Sequence, residues 1–215
     1  MKPLRIIGVT LLACCCLAAL TAFTYWYKAT HKTSSPPTGK ITASASPMFL
    51  KMQAKAVAAK KFVVSKKYNS RICFLVDMSV SSGKNRFFIY DLQKDSIISS
   101  GLVTHGRCNE TWLNGRKYSN QVGSGCTSPG RYRIGKPYQG SFGLAYKLYG
   151  LDSTNNNAFK RYVVLHSHEC VPENEVEPMP ICQSDGCPTL SPGFLKTAAK
   201  YIDASDKPVL LWIYD

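Results

Sequence analysis

The first 76 of the 215 residues contain no aspartate and no glutamate, although twelve lysines and arginines fall there. Residues 77–215 carry 15 basic and 13 acidic residues, so the formal charge of +14 is concentrated toward the N-terminus. That distribution argues against a nucleic-acid-binding fold, which needs its charge on the folded face that meets phosphates. No segment repeats, which excludes a solenoid. Charged residues make up only 19% of the chain and hydrophobic ones 45%, a balance that can bury a core and excludes wholesale disorder. The length fits one ordinary domain with extensions, or two very small ones. Cysteine is abundant at nine, which points either to an oxidising compartment or to thiol chemistry.

Lys2 and Arg5 precede an uncharged, largely apolar run of 22 residues, Ile6 to Tyr27. It is long enough to cross a hydrocarbon core of roughly 30 Å, and Tyr25, Trp26 and Tyr27 close it where an interfacial belt would sit. Residues 1–27 therefore read as a signal anchor or a signal peptide. Leu11-Leu12-Ala13-Cys14 also resembles a lipobox, with Cys14 as the lipidated residue. Each version exports the rest of the chain, and Cys14, Cys15 and Cys16 belong to targeting, not to the fold. Residues 28–46, rich in Ser, Thr, Pro and Lys, form a flexible tether that cannot bury enough apolar surface to fold.

The folded part is expected over residues 47–215. Ser46-Pro47 is a helix start, and Met48 to Lys61 reads as a helix with Phe49, Met52 and Ala56 on one face. The period then changes to two. Strands are expected at Ile72–Met78, Phe87–Leu92, Ser96–Thr104, Arg131–Ile134, Leu144–Leu148, Tyr162–His166 and Val209–Tyr214, with a second helix over Phe194–Ile202. The fold class is mainly β with peripheral helices.

The stretch from Gly106 to Gly130 holds five glycines and little apolar content, a connection long enough to need pinning. Cys108 and Cys126 stand near its ends, while Cys170 and Cys182 bracket the loop containing Glu173, Glu175 and Glu177. Proximity suggests the pairs 108–126 and 170–182; spacing alone leaves the connectivity open. Closing each loop would contribute on the order of 3 kcal/mol in the chain-entropy account. Cys73 reads as a buried strand residue.

Cys187 is left, between Gly186 and Pro188, some twenty residues after the strand ending in His166. Glycine before a nucleophile lets the backbone turn sharply and leaves N–H groups for a developing oxyanion. A cysteine beside imidazole can become a thiolate, the reactive species. Taken alone, the same pair is also compatible with half a disulfide and a surface histidine.

His166, 17 intervening residues, and then Ser184-Asp185-Gly186-Cys187-Pro188 resemble the active-site pattern of the murein L,D-transpeptidase (YkuD-like) catalytic domain, in the branch reading Ser-x-Gly-Cys-Pro. His105-Gly106, Tyr118-Ser119-Asn120, Ser128-Pro129-Gly130, Gly143, Leu148-x-Gly150-Leu151 and Asn155-Asn156-Asn157-Ala158 fall in that family's order, so the resemblance covers about residues 48–215. It implies Cys187 as nucleophile, His166 as base, and Ser184 and Gly186 as shapers of the loop and its oxyanion hole. It further implies an exported enzyme of the cell envelope or periplasm, tethered to the membrane by its N-terminal segment. The donor would be a peptidoglycan stem tetrapeptide, passed through a thioester to an amine to give a 3–3 cross-link. Transfer to water would make the protein an L,D-carboxypeptidase or endopeptidase, and loss of chemistry would leave a wall-binding module. No cofactor, metal or nucleic-acid partner is implied.

Three departures from the family pattern matter. Asp185 stands where many members have histidine, and must face away from the thiol or pair with a cation. Thr189 stands where many have arginine, which leaves Arg161 or Arg131 to bind a substrate carboxylate. Cys182 lies close before the nucleophile and brings redox sensitivity to the site. Strand alternation places His168 on the same face as His166, as a structural neighbour. His105 is expected to be structural, and the three glutamates to form a solvated rim.

Overall fold

The computed structural model describes residues 21–24, 26 and 46–215, in a chain that divides into two units, Met1–Ser44 and Ala45–Asp215. In the first unit the described residues are helical. The expected anchor over 1–27 and tether over 28–46 otherwise lie outside the described residues. Among the described residues no helix is long and apolar enough to cross a membrane.

The second unit opens with helix α1, Pro47–Ser65. Ser46 caps it, its Oγ accepting the Phe49 N–H at 3.3 Å. Met52, Ala56, Ala59 and Val63 are its buried stripe, whereas Phe49 stays 37% exposed, so contact with the sheet begins a turn later than the sequence suggested. Strands β1 (Ile72–Asp77), β2 (Phe87–Asp91), β3 (Ser96–Gly101), β4 (Gly130–Gly140), β5 (Gly143–Gly150), β6 (Val164–Ser167), β7 (Thr189–Leu190) and β8 (Leu210–Tyr214) form one mixed sheet, ordered 3-2-1-8-4-5-6-7. Helix α2, Pro192–Asp203, lies between β7 and β8 in the chain.

Both faces of the sheet carry a core. Phe74, Val76, Phe87, Ile89, Tyr132, Leu148, Leu165 and Leu211 pack with Phe194, Leu195, Ala198 and Ile202 of α2. Their strand neighbours Cys73, Leu75, Phe88, Tyr90 and Leu210 pack instead with Met52, Ala56, Ala59 and Val63 of α1. Residues 72–77 are consequently buried at every position, which is why β1 reads as a nearly unbroken apolar run. The β4–β5 surface on the α1 side has a different cover. There Arg133 lies over the Tyr149 ring (3.9 Å), Tyr149 stacks on Phe159 (5.4 Å), and Lys147 lies over Phe159 (5.4 Å) and Tyr138 (5.8 Å).

Strand β4 runs well past the expected Ile134. A register shift between Ile134 and Pro137 carries the ladder across the proline, where a regular pair would need an N–H that proline lacks. Strand β7 was missed because two residues show no period. The loop after β3 is pinned as expected: Cys108 bonds Cys126, Cys170 bonds Cys182, and Cys73 and Cys187 are free.

Candidate active site

The loop that carries Cys187 is stitched to the segment after β3. Ser184 N–H donates to the His105 carbonyl (3.0 Å), and Arg107 N–H to the Ser184 carbonyl (2.8 Å). Gly186 follows with φ +103°, and a Cβ there would stand 2.5 Å from the Cys126 carbonyl oxygen, so only glycine fits. Ser184 Oγ accepts the Gly186 N–H (3.2 Å) and donates to the Cys187 carbonyl (2.7 Å), to which Thr104 Oγ1 also donates (3.1 Å). The Cys187 carbonyl is thereby fixed, while the Cys187 N–H has no hydrogen-bond partner among the described residues. Ser184 thus bonds the loop at two points, and Gly186 turns it.

Cys187 Sγ accepts the Val164 N–H at 3.4 Å, and its thiol donates to the Tyr162 carbonyl at 3.8 Å. Burial pushes its pKa up; the Val164 N–H and then the Arg161 guanidinium pull it down, and Asp185 adds a smaller upward push. His166, 7% exposed on β6, has Nδ1 3.0 Å from the Ser167 carbonyl and Nε2 3.1 Å from Thr189 Oγ1. A carbonyl can only accept, so Nδ1 carries a proton; in the neutral ring Nε2 then keeps its lone pair and faces the Thr189 hydroxyl. Burial lowers the pKa of His166, against a smaller upward effect of the Ser167 carbonyl and a further lowering by His168. The resting pair is therefore neutral thiol and neutral imidazole. Both line one cavity of about 460 Å³.

The other sequence candidates sort clearly. Asp185 pairs with Arg107 at 2.7 Å on the exposed rim, meeting the requirement that it bind a cation. His168 is exposed, accepts the Cys170 N–H on Nδ1 at 3.0 Å and lines the same cavity. Arg161 does not offer its fork to a ligand: it donates to the Ser119 carbonyl (2.8 Å), Ser128 Oγ (2.9 Å), Ser124 Oγ (3.3 Å) and the Cys126 carbonyl. It ties the long loop to the segment just before β6. Arg131 is remote from the cavity, clamped on Asp152 and stacked over Phe62, which removes it as a carboxylate binder. His105 is buried and structural, with Nδ1 facing Arg86 Nη2 at 3.1 Å. Two of the three rim glutamates do more than solvate. Glu173 accepts Ser191 Oγ–H (2.6 Å) and Gly193 N–H (2.7 Å) at the start of α2, and Glu175 accepts the Asn85 N–H (2.8 Å). Among the described residues no group of His, Cys, Asp and Glu is placed to hold a metal ion.

Sequence reasoning missed four residues of this cavity. Phe142, at the β4–β5 turn, stacks on His166 at 5.0 Å and meets His168 edge-on at 5.4 Å. Trp112 forms part of the wall in the long loop, 46% exposed. Gln183 holds that loop in place by accepting the Leu113 N–H and donating to its carbonyl, both at 2.8 Å. Thr189 was noted only as an absent arginine. An aromatic between Gly140 and Gly143 was the available signal for Phe142; Trp112 and Gln183 had none. The Cys170–Cys182 disulfide forms part of the same wall.

A free thiol and a neutral imidazole on one cavity, at the end of a mixed sheet, form an arrangement suited to thiol acyl transfer. The chain belongs to the L,D-transpeptidase catalytic domain family, which it matches over residues 44–214. No curated protein matches it. Among solved structures, it is similar to the helical cell shape determining protein Pgp2 of Campylobacter jejuni, at 16% identity and a TM-score of 0.43, over 73% of this chain and 55% of that one. It thus spans little more than half of that protein. It is also similar to an L,D-transpeptidase of Xylanimonas cellulosilytica, at 12% identity and 0.37, over 72% and 68% of the two chains. Mycobacterium tuberculosis L,D-transpeptidase 1 is similar at 13% and 0.35, over 67% and 62%.

Proposed function

We propose that the protein is an exported cysteine acyltransferase that forms 3–3 cross-links in peptidoglycan. The observation that carries this reading is the convergence of Cys187, free in a chain whose neighbouring cysteines are paired, with a neutral His166 on one cavity. Cys187 Sγ attacks the carbonyl of the third residue of a stem tetrapeptide. As the S–C bond forms, the thiol turns from the Tyr162 carbonyl and gives its proton to His166 Nε2. The Cys187 N–H donates to the oxyanion. The C–N bond to the terminal D-alanine then breaks, and His166 returns the proton to the leaving amine. An amine from a neighbouring stem opens the thioester in the second step, losing a proton to His166 and restoring the thiol. Ser167, through its carbonyl, holds the imidazole in the tautomer this sequence needs, and Phe142 shields it from water.

Two disulfides suit an oxidising compartment. Residues 1–27 serve as signal anchor, signal peptide or lipoprotein signal and 28–46 as tether, with the catalytic domain over 47–215. The test is the intact mass of the protein after incubation with a disaccharide-tetrapeptide. An adduct equal to substrate minus D-alanine is expected with wild type and absent with Cys187→Ala. A folded protein with a free Cys187 and no adduct would overturn the reading.

A further inference from the structure

The cavity that holds His166 leaves two neighbours of the thiol unexplained. Tyr162, whose carbonyl accepts the thiol, has φ +56°. A bulky residue enters that left-handed region only against steric resistance, and Tyr162, 85% exposed, recovers little by burial. Lys147 faces Val164 in the β5–β6 register, and Val164 supplies the N–H that bonds Cys187 Sγ. Lys147, Tyr138, Phe159, Tyr162, Val163 and Val164 line a separate cavity of about 90 Å³. The thiol and this second cavity therefore share a wall. Among the described residues Lys147 makes no ion pair and no side-chain hydrogen bond; its ammonium lies only over aromatic rings.

We propose that this cavity is the subsite for the terminal residue of the donor stem, a small D-amino acid with a free carboxylate. The Lys147 ammonium pairs with the carboxylate, and the rings of Tyr138, Phe159 and Tyr162 enclose the methyl group. The assignment rests on the acyl-transfer reading, in which that residue is bonded to the carbonyl under attack and its carboxyl carbon lies only three bonds away. Arg161 and Arg131, the sequence candidates for the same task, are committed elsewhere. Apolar walls with one well-placed charge are the usual composition of a small-ligand site. An exposed aromatic held in a costly backbone conformation beside a nucleophile is accounted for by contact with a ligand.

The test is a titration of N-acetyl-D-alanine and of N-acetyl-D-alaninamide into the full chain carrying Cys187→Ala, followed through the amide resonances of Tyr162 and Val164. The acid is expected to bind at least about tenfold more tightly than the amide, since only the acid can pair with Lys147. Adding Lys147→Met removes that preference and Lys147→Arg keeps it. Tyr162→Gly relieves the backbone, folds at least as stably as its parent, and still loses affinity. Equal binding of acid and amide, no binding of either, or a preference that survives Lys147→Met overturns the subsite. The acyl-enzyme assay separates the two claims. No adduct with an intact acid preference sinks the transferase and keeps the subsite. An adduct formed equally fast from the tetrapeptide and its C-terminal amide does the reverse.

Discussion

Acid should loosen the nucleophile loop through a group that takes no part in the chemistry. His105 is 6% exposed, with Nδ1 3.1 Å from Arg86 Nη2. A guanidinium can only donate, so Nδ1 must accept and the ring must be neutral. Burial first, then the positive charges of Arg86 and Arg116, lower its pKa from 6.5 to about 4. In the unfolded chain the ring titrates near its ordinary value, so between the two pH values the unfolded state holds more protons and stability rises with pH. The contribution is fully present above about pH 6.5 and is lost as pH falls toward 4. At full expression a shift of this size is worth about 3 kcal/mol; allowing for solvent screening, about 2 kcal/mol should be lost between pH 7.5 and 4.5. His105→Asn offers an acceptor near the Nδ1 position but does not titrate. Urea unfolding of both proteins at both pH values isolates the contribution of His105, because every other titrating group is shared. Wild type should lose about 2 kcal/mol more than the variant; parallel losses would refute the argument. The same carbonyl–amide pair that joins His105 to Ser184 carries the effect to Cys187, so the thiol should alkylate faster in acid than its titration alone allows.

The remaining predictions concern the loop itself. Gly186→Ala places Cβ 2.5 Å from the carbonyl of Cys126, which a disulfide and Arg161 hold in place, so it should cost about 2–4 kcal/mol. An unchanged urea midpoint would show that the loop yields. Arg161→Met removes a cation that lowers the Cys187 pKa, so the pH profile of thiol alkylation should move to higher pH, while Arg161→Lys moves it less. A Met profile that overlies wild type would rule out that charge as a stabiliser of the thiolate.

Much of this was legible in the sequence because local rules and tertiary packing agree. Ser46-Pro47 and Ser191-Pro192 start helices through a hydroxyl cap and a fixed φ, and both do so here. The apolar strands were visible by period, and the two disulfides join neighbours in sequence. What stayed hidden depends on pairing at long range. The expected strand stopped at Ile134, before Gly135 and Pro137, yet a register shift carries β4 past the proline. Arg131 and Arg161 looked equally available as free cations. Only the fold shows that one is consumed by Asp152 and the other by loop oxygens. Phe142 and Trp112 meet the site from hairpin and loop positions that no period marks.

The site exists because β6 is longer than its last partner. Strand β7 joins β6 only from His166 onward, pairing it with Thr189 and Ser167 with Leu190. Val164, two residues earlier, has an N–H on that side with no strand to receive it, and the chain fills the vacancy with the sulfur of Cys187. One short strand thus supplies the histidine from its paired half and a thiolate-stabilising donor from its unpaired half. Thr189, the first residue of β7, then bonds the histidine. Lengthening β7 by two residues would satisfy the Val164 N–H with a carbonyl and displace the sulfur. In this fold a two-residue strand is the condition for the thiol to stand where it does.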